Sequence, residues 1–179
     1  MAKFYVMEAV NLFCGNHDPS TSKHLTIQTL RLPVLEEKTA EHGPGGSVAA
    51  VTLGMGQIAP LDITFKLNGY DPDMLSLFGV GGRKIQPYTA YGVVRNKLNS
   101  KAIESKTIVH GKLGRIEPDE IQRGELSGHD HTIIEVMHYE LYFDDKEKFF
   151  FNFANQIWRV DGVSQNADER RILRIPGAA

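Results

Sequence analysis

From Leu61 to Asn68 the chain alternates without a break: Leu61, Ile63, Phe65 and Leu67 are apolar, and Asp62, Thr64, Lys66 and Asn68 are polar. Successive side chains of a strand point to opposite faces, so this period of two specifies a strand with one dry face and one wet face. The dry face needs cover. Asp71 is placed to cap a helix with Pro72 at its first position, Met74, Leu77 and Phe78 on one side and Gly79 as terminator. This pattern predicts a helix of about two turns packed beside the strand.

Alternation returns over Lys101–Leu113, where Ile103, Ser105, Thr107, Val109 and Leu113 oppose Glu104, Lys106, His110 and Lys112, with Ile108 on the polar side. Thr132–Phe143 carries β-branched and aromatic residues on both faces, as a doubly covered strand requires. The turn residues Asp144-Asp145-Lys146-Glu147 then lead into Lys148–Phe153, which predicts a hairpin. Weaker strand patterns run over Phe4–Phe13, Leu25–Leu32, Val34–Glu41 and Pro87–Arg95. A chain of 179 residues built this way is expected to be one β-rich domain spanning 1–179.

Gly43-Pro44-Gly45-Gly46 opens a stretch that reaches Gly54-Met55-Gly56 with little periodicity, and residues 43–60 read as a flexible loop. Loops of this length in a small domain are usually functional or ordered by a partner. The terminal Pro176-Gly177-Ala178-Ala179 reads as a frayed end of the 170–179 tail.

Charge and composition narrow the function. Lys and Arg number 20 against 22 Asp and Glu, a net charge of −2, which is no electrostatic footprint for gripping a phosphate backbone. No apolar run approaches the roughly 20 residues of a membrane span. The start, Met1-Ala2-Lys3-Phe4-Tyr5, lacks the apolar region of a secretory signal, so the chain is expected to stay in the cytoplasm where it is made. The single cysteine, Cys14, excludes an intrachain disulfide and reads as a small apolar residue.

Candidate chemistry is thin. His129-Asp130-His131 puts two histidines on one face of an extended segment, the start of a metal site, but a third ligand would have to come from His110 or His138. The Ser127-Gly128 lead-in reads as a solvated turn. Gly79-Val80-Gly81-Gly82-Arg83-Lys84 follows a helix and lacks the Gly-Lys-Ser/Thr ending of a phosphate loop, so it reads as a helix exit. No nucleophile elbow or His-Glu-x-x-His helix is present. Phe149, Phe150, Phe151, Phe153 and Trp158 read as strand packing before a ligand pocket. Arg170, Arg171 and Arg174 suit either a solvated helix face or an acidic partner. No catalytic residue, cofactor or metal is expected. Two alternatives stay open: a small β-barrel metalloenzyme using His129 and His131, and a ligand-binding barrel around Phe149–Phe153.

The order of motifs resembles the major tail tube protein family of contractile-tailed phages, which includes the tubes of phage-derived bacteriocins. Ala9-Val10-Asn11-Leu12-Phe13 and Leu30-Arg31-Leu32-Pro33-Val34-Leu35-Glu36-Glu37-Lys38-Thr39 are similar to the family's N-terminal strands, with its leucine-proline step. The Gly43–Ser47 loop, the Leu61–Asp71 strand and the Leu75–Gly79 helix follow in the family's order. Gly111–Pro118 with Gly124-Glu125 resembles the family's turn before its long strand, and Tyr139–Glu147, Val160–Val163 and Arg170-Arg171 complete the series. The chain departs from the pattern at Asp145, where a hairpin glycine is usual, and in its aromatic-rich Phe149–Phe153.

The resemblance implies a mainly β fold, sandwich- or barrel-like with one short flanking α-helix, in hexameric rings stacked into a tube. It implies partners as well: the tail sheath, tape measure, baseplate and tail terminator proteins, with DNA transiting the lumen without tight binding and no membrane contact. The subunit would be assembled in the host cytoplasm and end in the virion. Asp62, Thr64, Lys66 and Asn68 are then expected to face the lumen, and Gly43, Gly45, Gly46, Gly54 and Gly56 to belong to an inter-ring loop. The runner-up is the tube subunit of a type VI secretion or extracellular injection machine.

Overall fold

The alternating segment forms a strand, β5 (Ile63–Asn68), and its dry face is the middle of the core: Ile63, Phe65 and Leu67 are buried, as is Leu61 just before it. Full burial contributes roughly 1.5–3 kcal/mol for each such side chain. A computed structural model describes residues 3–81 and 85–175. Ahead of β5 come β1 (Tyr5–Cys14), β2 (Ile27–Arg31), β3 (Glu37–His42) and β4 (Val51–Ile58). After it come α1 (Pro72–Leu77), β6 (Gln86–Asn96), β7 (Ala102–Pro118), β8 (Gly128–Phe143), β9 (Lys146–Asn152), β10 (Ile157–Val160), β11 (Val163–Ser164) and α2 (Ala167–Ile172). No described helix is long and apolar enough to cross a membrane.

Six strands run around the core in the order β1-β6-β7-β8-β5-β2, all neighbours antiparallel. The ring of strands closes where Phe13 bridges Ser22 and the Lys23 N–H donates to the Leu12 carbonyl at 2.8 Å. Inside sit Leu12, Tyr88, Ala90, Val109, Leu113 and Ile133, together with Met74 from α1. Closure is confined to this Phe13–Ser22 corner; along Tyr5–Val10 and along β2 the outer edges have no strand partner among the described residues.

β8 changes neighbours along its length. Its first half, Gly128–Ile133, pairs with β5; its second half, His138–Phe143, pairs with β9; β7 lies along both. The switch falls at Glu135, with φ +51°, opposite register shifts in β7 between His110 and Lys112 and between Leu113 and Arg115. At these bulges three consecutive β7 residues, Gly111, Lys112 and Leu113, are buried, which ends the simple alternation of that segment.

The β8–β9 hairpin is expected from the sequence, and its turn consists of Asp144 and Asp145 at φ +51° and +59° between the paired Phe143 and Lys146. Positive φ at both central residues is the type I′ geometry that matches strand twist, and aspartate tolerates it better than most residues. Beyond it Trp158 of β10 stacks on Phe149, with centroids 5.9 Å apart, and meets Phe151 edge-on. The phenylalanine run is half-buried in the sheet, and Phe153 lies outside it, exposed.

α1 begins as its residues predict: the Asp71 carboxylate accepts from the Met74 N–H at 3.1 Å and Pro72 opens the first turn. It ends earlier than Gly79, at Phe78, whose N–H donates to the Leu75 carbonyl and whose ring is exposed. Four further expectations are corrected. Within 43–60, residues Val51–Ile58 form a strand, because Val51, Leu53 and Met55 alternate with small residues and pair with β3. Gly111–Pro118 is strand, with the turn falling after it. His129–His131 lies inside β8, not in a solvated turn. A second helix, α2, joins the one expected. Gly82, Arg83 and Lys84 of the expected helix exit, and Pro176–Ala179, read from the sequence as a frayed end, lie outside the described residues.

Candidate assembly surface

β3 and β4 form a two-stranded ribbon separate from the main sheet. Every residue of β3, and every residue of β4 except Ile58, is exposed. Register places Ala40 opposite Leu53 and His42 opposite Val51. Val51, Leu53 and Met55 therefore make an apolar stripe, 58%, 48% and 57% exposed, with Thr52, Gly54 and Gly56 on the other face. The Glu37 carboxylate accepts from the Gly56 N–H at 2.9 Å and braces the base of the ribbon. A lone two-stranded ribbon is marginal in water, and an uncovered apolar stripe on it calls for a second surface.

The long sheet offers a complementary feature. From Tyr5 to Val10, β1 pairs with β6 on one side and has no strand partner on the other among the described residues. Around this edge Phe4, Tyr5, Met7, Val93 and Leu98 are exposed. A shallow groove beside it is lined by Ala9, Asn11, Tyr91, Val93 and Ile103. Glu8, on the same strand, holds both Lys97 and Arg95, the latter at 2.7 Å, and hydrogen bonds from these two cations keep its carboxyl below the usual range. Unpaired edge and apolar rim together are what strand-to-strand association between chains uses.

The polar residues of the alternating strand point away from the core. Asp62 and Thr64 are exposed, while Lys66 and Asn68 are partly covered. Lys66 Nζ lies 2.7 Å from Asp119 Oδ1 and 3.6 Å from Asp130 Oδ2, so its charge is balanced twice, while Arg31 of β2, opposite Thr64 on the same face, is exposed. Hydrogen bonds from Lys66 and from the Gly128 N–H hold the Asp119 carboxyl below its ordinary range.

The other singled-out residues are placed as follows. Cys14 is buried, and burial pushes its thiol up to about 12, so it is inert. His129 and His131 are buried together, whereas His110 and His138 form a separate contact, centroids 4.9 Å apart, on the sheet's other face. Among the described residues no three histidine, cysteine or carboxylate side chains converge on a metal position. Arg170 is buried in α2, and Arg171 pairs with Asp168 at 3.1 Å. Sequence reasoning missed the ribbon stripe and the Lys66 triad; the first was legible in Val51-Thr52-Leu53-Gly54-Met55, had glycine been allowed to stand for a polar position.

A family model described as phage tail tube protein FII matches residues 10–173. The search of curated proteins finds no match. Among solved structures, a chain of the anti-feeding prophage (AFP) baseplate is similar at 14% identity, covering 81% of this chain and 99% of that one, with a TM-score of 0.54. A chain of the sheath-tube complex of an extracellular contractile injection system, PVC, in its extended state is similar at 9% identity, covering 75% and 88%, TM-score 0.52. The sheath/tube terminator of that system gives 9%, 75% and 93%, again with 0.52. At such identities these likenesses show a common fold. The family match spans all but the ends of the chain, and with the mainly β barrel it leads to one conclusion: this protein belongs to the phage tail tube protein FII family and is a structural tail tube subunit.

Proposed function

We propose that the subunit closes into hexameric rings, that the rings stack into a hollow tube inside a contractile sheath, and that the tube conducts the genome during delivery. The observation that carries this reading is the β3–β4 ribbon, with Val51, Leu53 and Met55 uncovered on a single subunit. In this reading residues 43–60 form the inter-ring contact. Gly43, Gly45, Gly46, Gly54 and Gly56 supply the freedom to fit it, Gly56 at φ +64°. The polar face of β5, Asp62, Thr64, Lys66 and Asn68, turns to the lumen. The balanced charge of Lys66 and the chain's net charge of −2 suit a wall that DNA passes without tight binding, with Arg31, opposite Thr64, left as a weak phosphate contact.

The likeness to contractile injection structures supports a sheath, a baseplate and a tail terminator as partners; a tape measure protein inside the tube during assembly is part of the proposal, inferred from the tail tube family alone. The subunit acts without catalysis, cofactor or metal; it is assembled in the host cytoplasm and carried in the virion.

Negative-stain microscopy of the concentrated protein tests the reading. Rings or tubes are expected from the wild type, and a folded, non-assembling subunit from Leu53→Asp. A species that stays monomeric at every concentration and salt, even with the other tail proteins added, would sink it.

A further inference from the structure

His129 and His131 lie side by side on the inward face of β8, 4% and 2% exposed, with ring centroids 6.1 Å apart. His131 stacks flat on Phe65 of β5 at 4.8 Å and 5°. His129 meets the ring of Tyr70, between β5 and α1, edge-on at 4.6 Å. His131 Nδ1 is buried with no hydrogen-bond partner. Across the strands, His131 faces Phe65 and Ile116, and His129 faces Leu67 and Pro118.

The charged groups around the pair are engaged with one another. Asp130, between the two histidines on the opposite face of β8, is near Lys66 of β5, which also holds Asp119. Glu117, near the end of β7, pairs with Arg115. A proton added to the His131 ring would thus enter an apolar core beside a second imidazole; the backbone of His129 and Phe65 and the charge of Asp130 favour it, but burial outweighs them. Histidine is the side chain that takes up a proton in the mildly acid range.

We propose that His131, with His129 packed beside it, is an acid-sensitive latch on the seam between β5 and the first half of β8: closed while the His131 ring is neutral, opened when it protonates. Burial, with His129 adding to it, holds the His131 imidazole below its ordinary 6.5. The unfolded chain, titrating near 6.5, then binds more protons than the folded one just below that pH. The contribution is complete above about pH 6.5 and lost as pH falls through the folded value. The carboxylates held low, such as Asp119, act in a separate window below about pH 4. The seam carries Phe65 and Ile133, so its opening exposes the core.

Urea unfolding of the full-length subunit at pH 7.5 and 5.5 tests the latch without requiring ring formation. His110 is also held low, by burial and by His138, so the comparison is made in a His110→Gln background. The unfolding midpoint is expected to fall between the two pH values, and His131→Phe, which keeps a ring against Phe65, is expected to remove at least half of that fall. Hydrogen exchange corrected for intrinsic rates should show residues 63–68 and 128–133 losing protection first. Should His131→Phe fail to fold, the His131 Cε1–H resonance of the wild type decides the matter. Titration below pH 6.5 supports the latch; titration at or above 6.5, or a pH dependence unchanged in His131→Phe, overturns it.

Discussion

Lys23 Nζ lies 2.6 Å from Asp71 Oδ2, joining the turn that closes β1 onto β2 to the cap of α1. Lys23 is 7% exposed, so its charge is out of water and depends on this one carboxylate. Removing one member of a buried pair leaves the other uncompensated. Lys23→Ala is expected to cost about 3 kcal/mol, and Asp71→Ala more, because it also removes the cap at Met74. Urea denaturation of the two variants measures both.

The same pair sets an acid limit. Burial raises the Asp71 carboxyl, but Lys23 and the Met74 N–H outweigh it and hold the group below its ordinary 3.8. A depressed carboxyl contributes stability above its unfolded value that is lost as pH falls through the folded one. The wild type should therefore lose this contribution only below about pH 4, and Lys23→Met should flatten the loss in a pH series of melting temperatures.

Phe65→Ala should cost about 3–5 kcal/mol, since it empties the centre of the barrel and removes the face on which His131 stacks. Asp62→Lys, on the exposed face, should change stability by less than about 0.5 kcal/mol. If that face lines the lumen, the added cation should slow or arrest genome delivery. A tube structure with Asp62 on the sheath side would refute the lumen assignment.

Gly128 opens β8 where the backbone of β5 passes too closely for a side chain: a Cβ there would run into the Leu67 carbonyl oxygen. Backbone cannot swing aside as a flexible side chain can. Gly128→Ala should destabilise by about 3 kcal/mol, at the upper end of overpacking effects, and should loosen the β5–β8 seam in hydrogen exchange.

Asp145→Gly should raise stability by up to about 1 kcal/mol. The residue sits at φ +59° in a type I′ turn that favours glycine, and its side chain points to solvent. Unchanged or lower stability by thermal unfolding would mean that the Asp145 carboxylate contributes more than its backbone strain costs.

The amino-acid order alone determined the features that depend on neighbours in sequence. The period of two in Leu61–Asn68 placed Phe65 inside and Asp62 outside, Asp71-Pro72 started α1 where it starts, and Asp144-Asp145 turned the hairpin. Local sterics and hydrogen bonding act within a few residues, so they leave a readable trace. The features that depend on distant segments left none. His129 and His131 looked solvated after Ser127-Gly128 because only the approach of β5 and β7 buries them. β4 is the intermediate case: Val51, Leu53 and Met55 do alternate, but Gly54 and Gly56 masked the pattern, and pairing with β3 is what makes the segment a strand. Likewise Lys66 gained its counter-charge, and Lys23 its buried partner, only when the fold brought Asp119 and Asp71 to them from far along the chain, which no local pattern encodes.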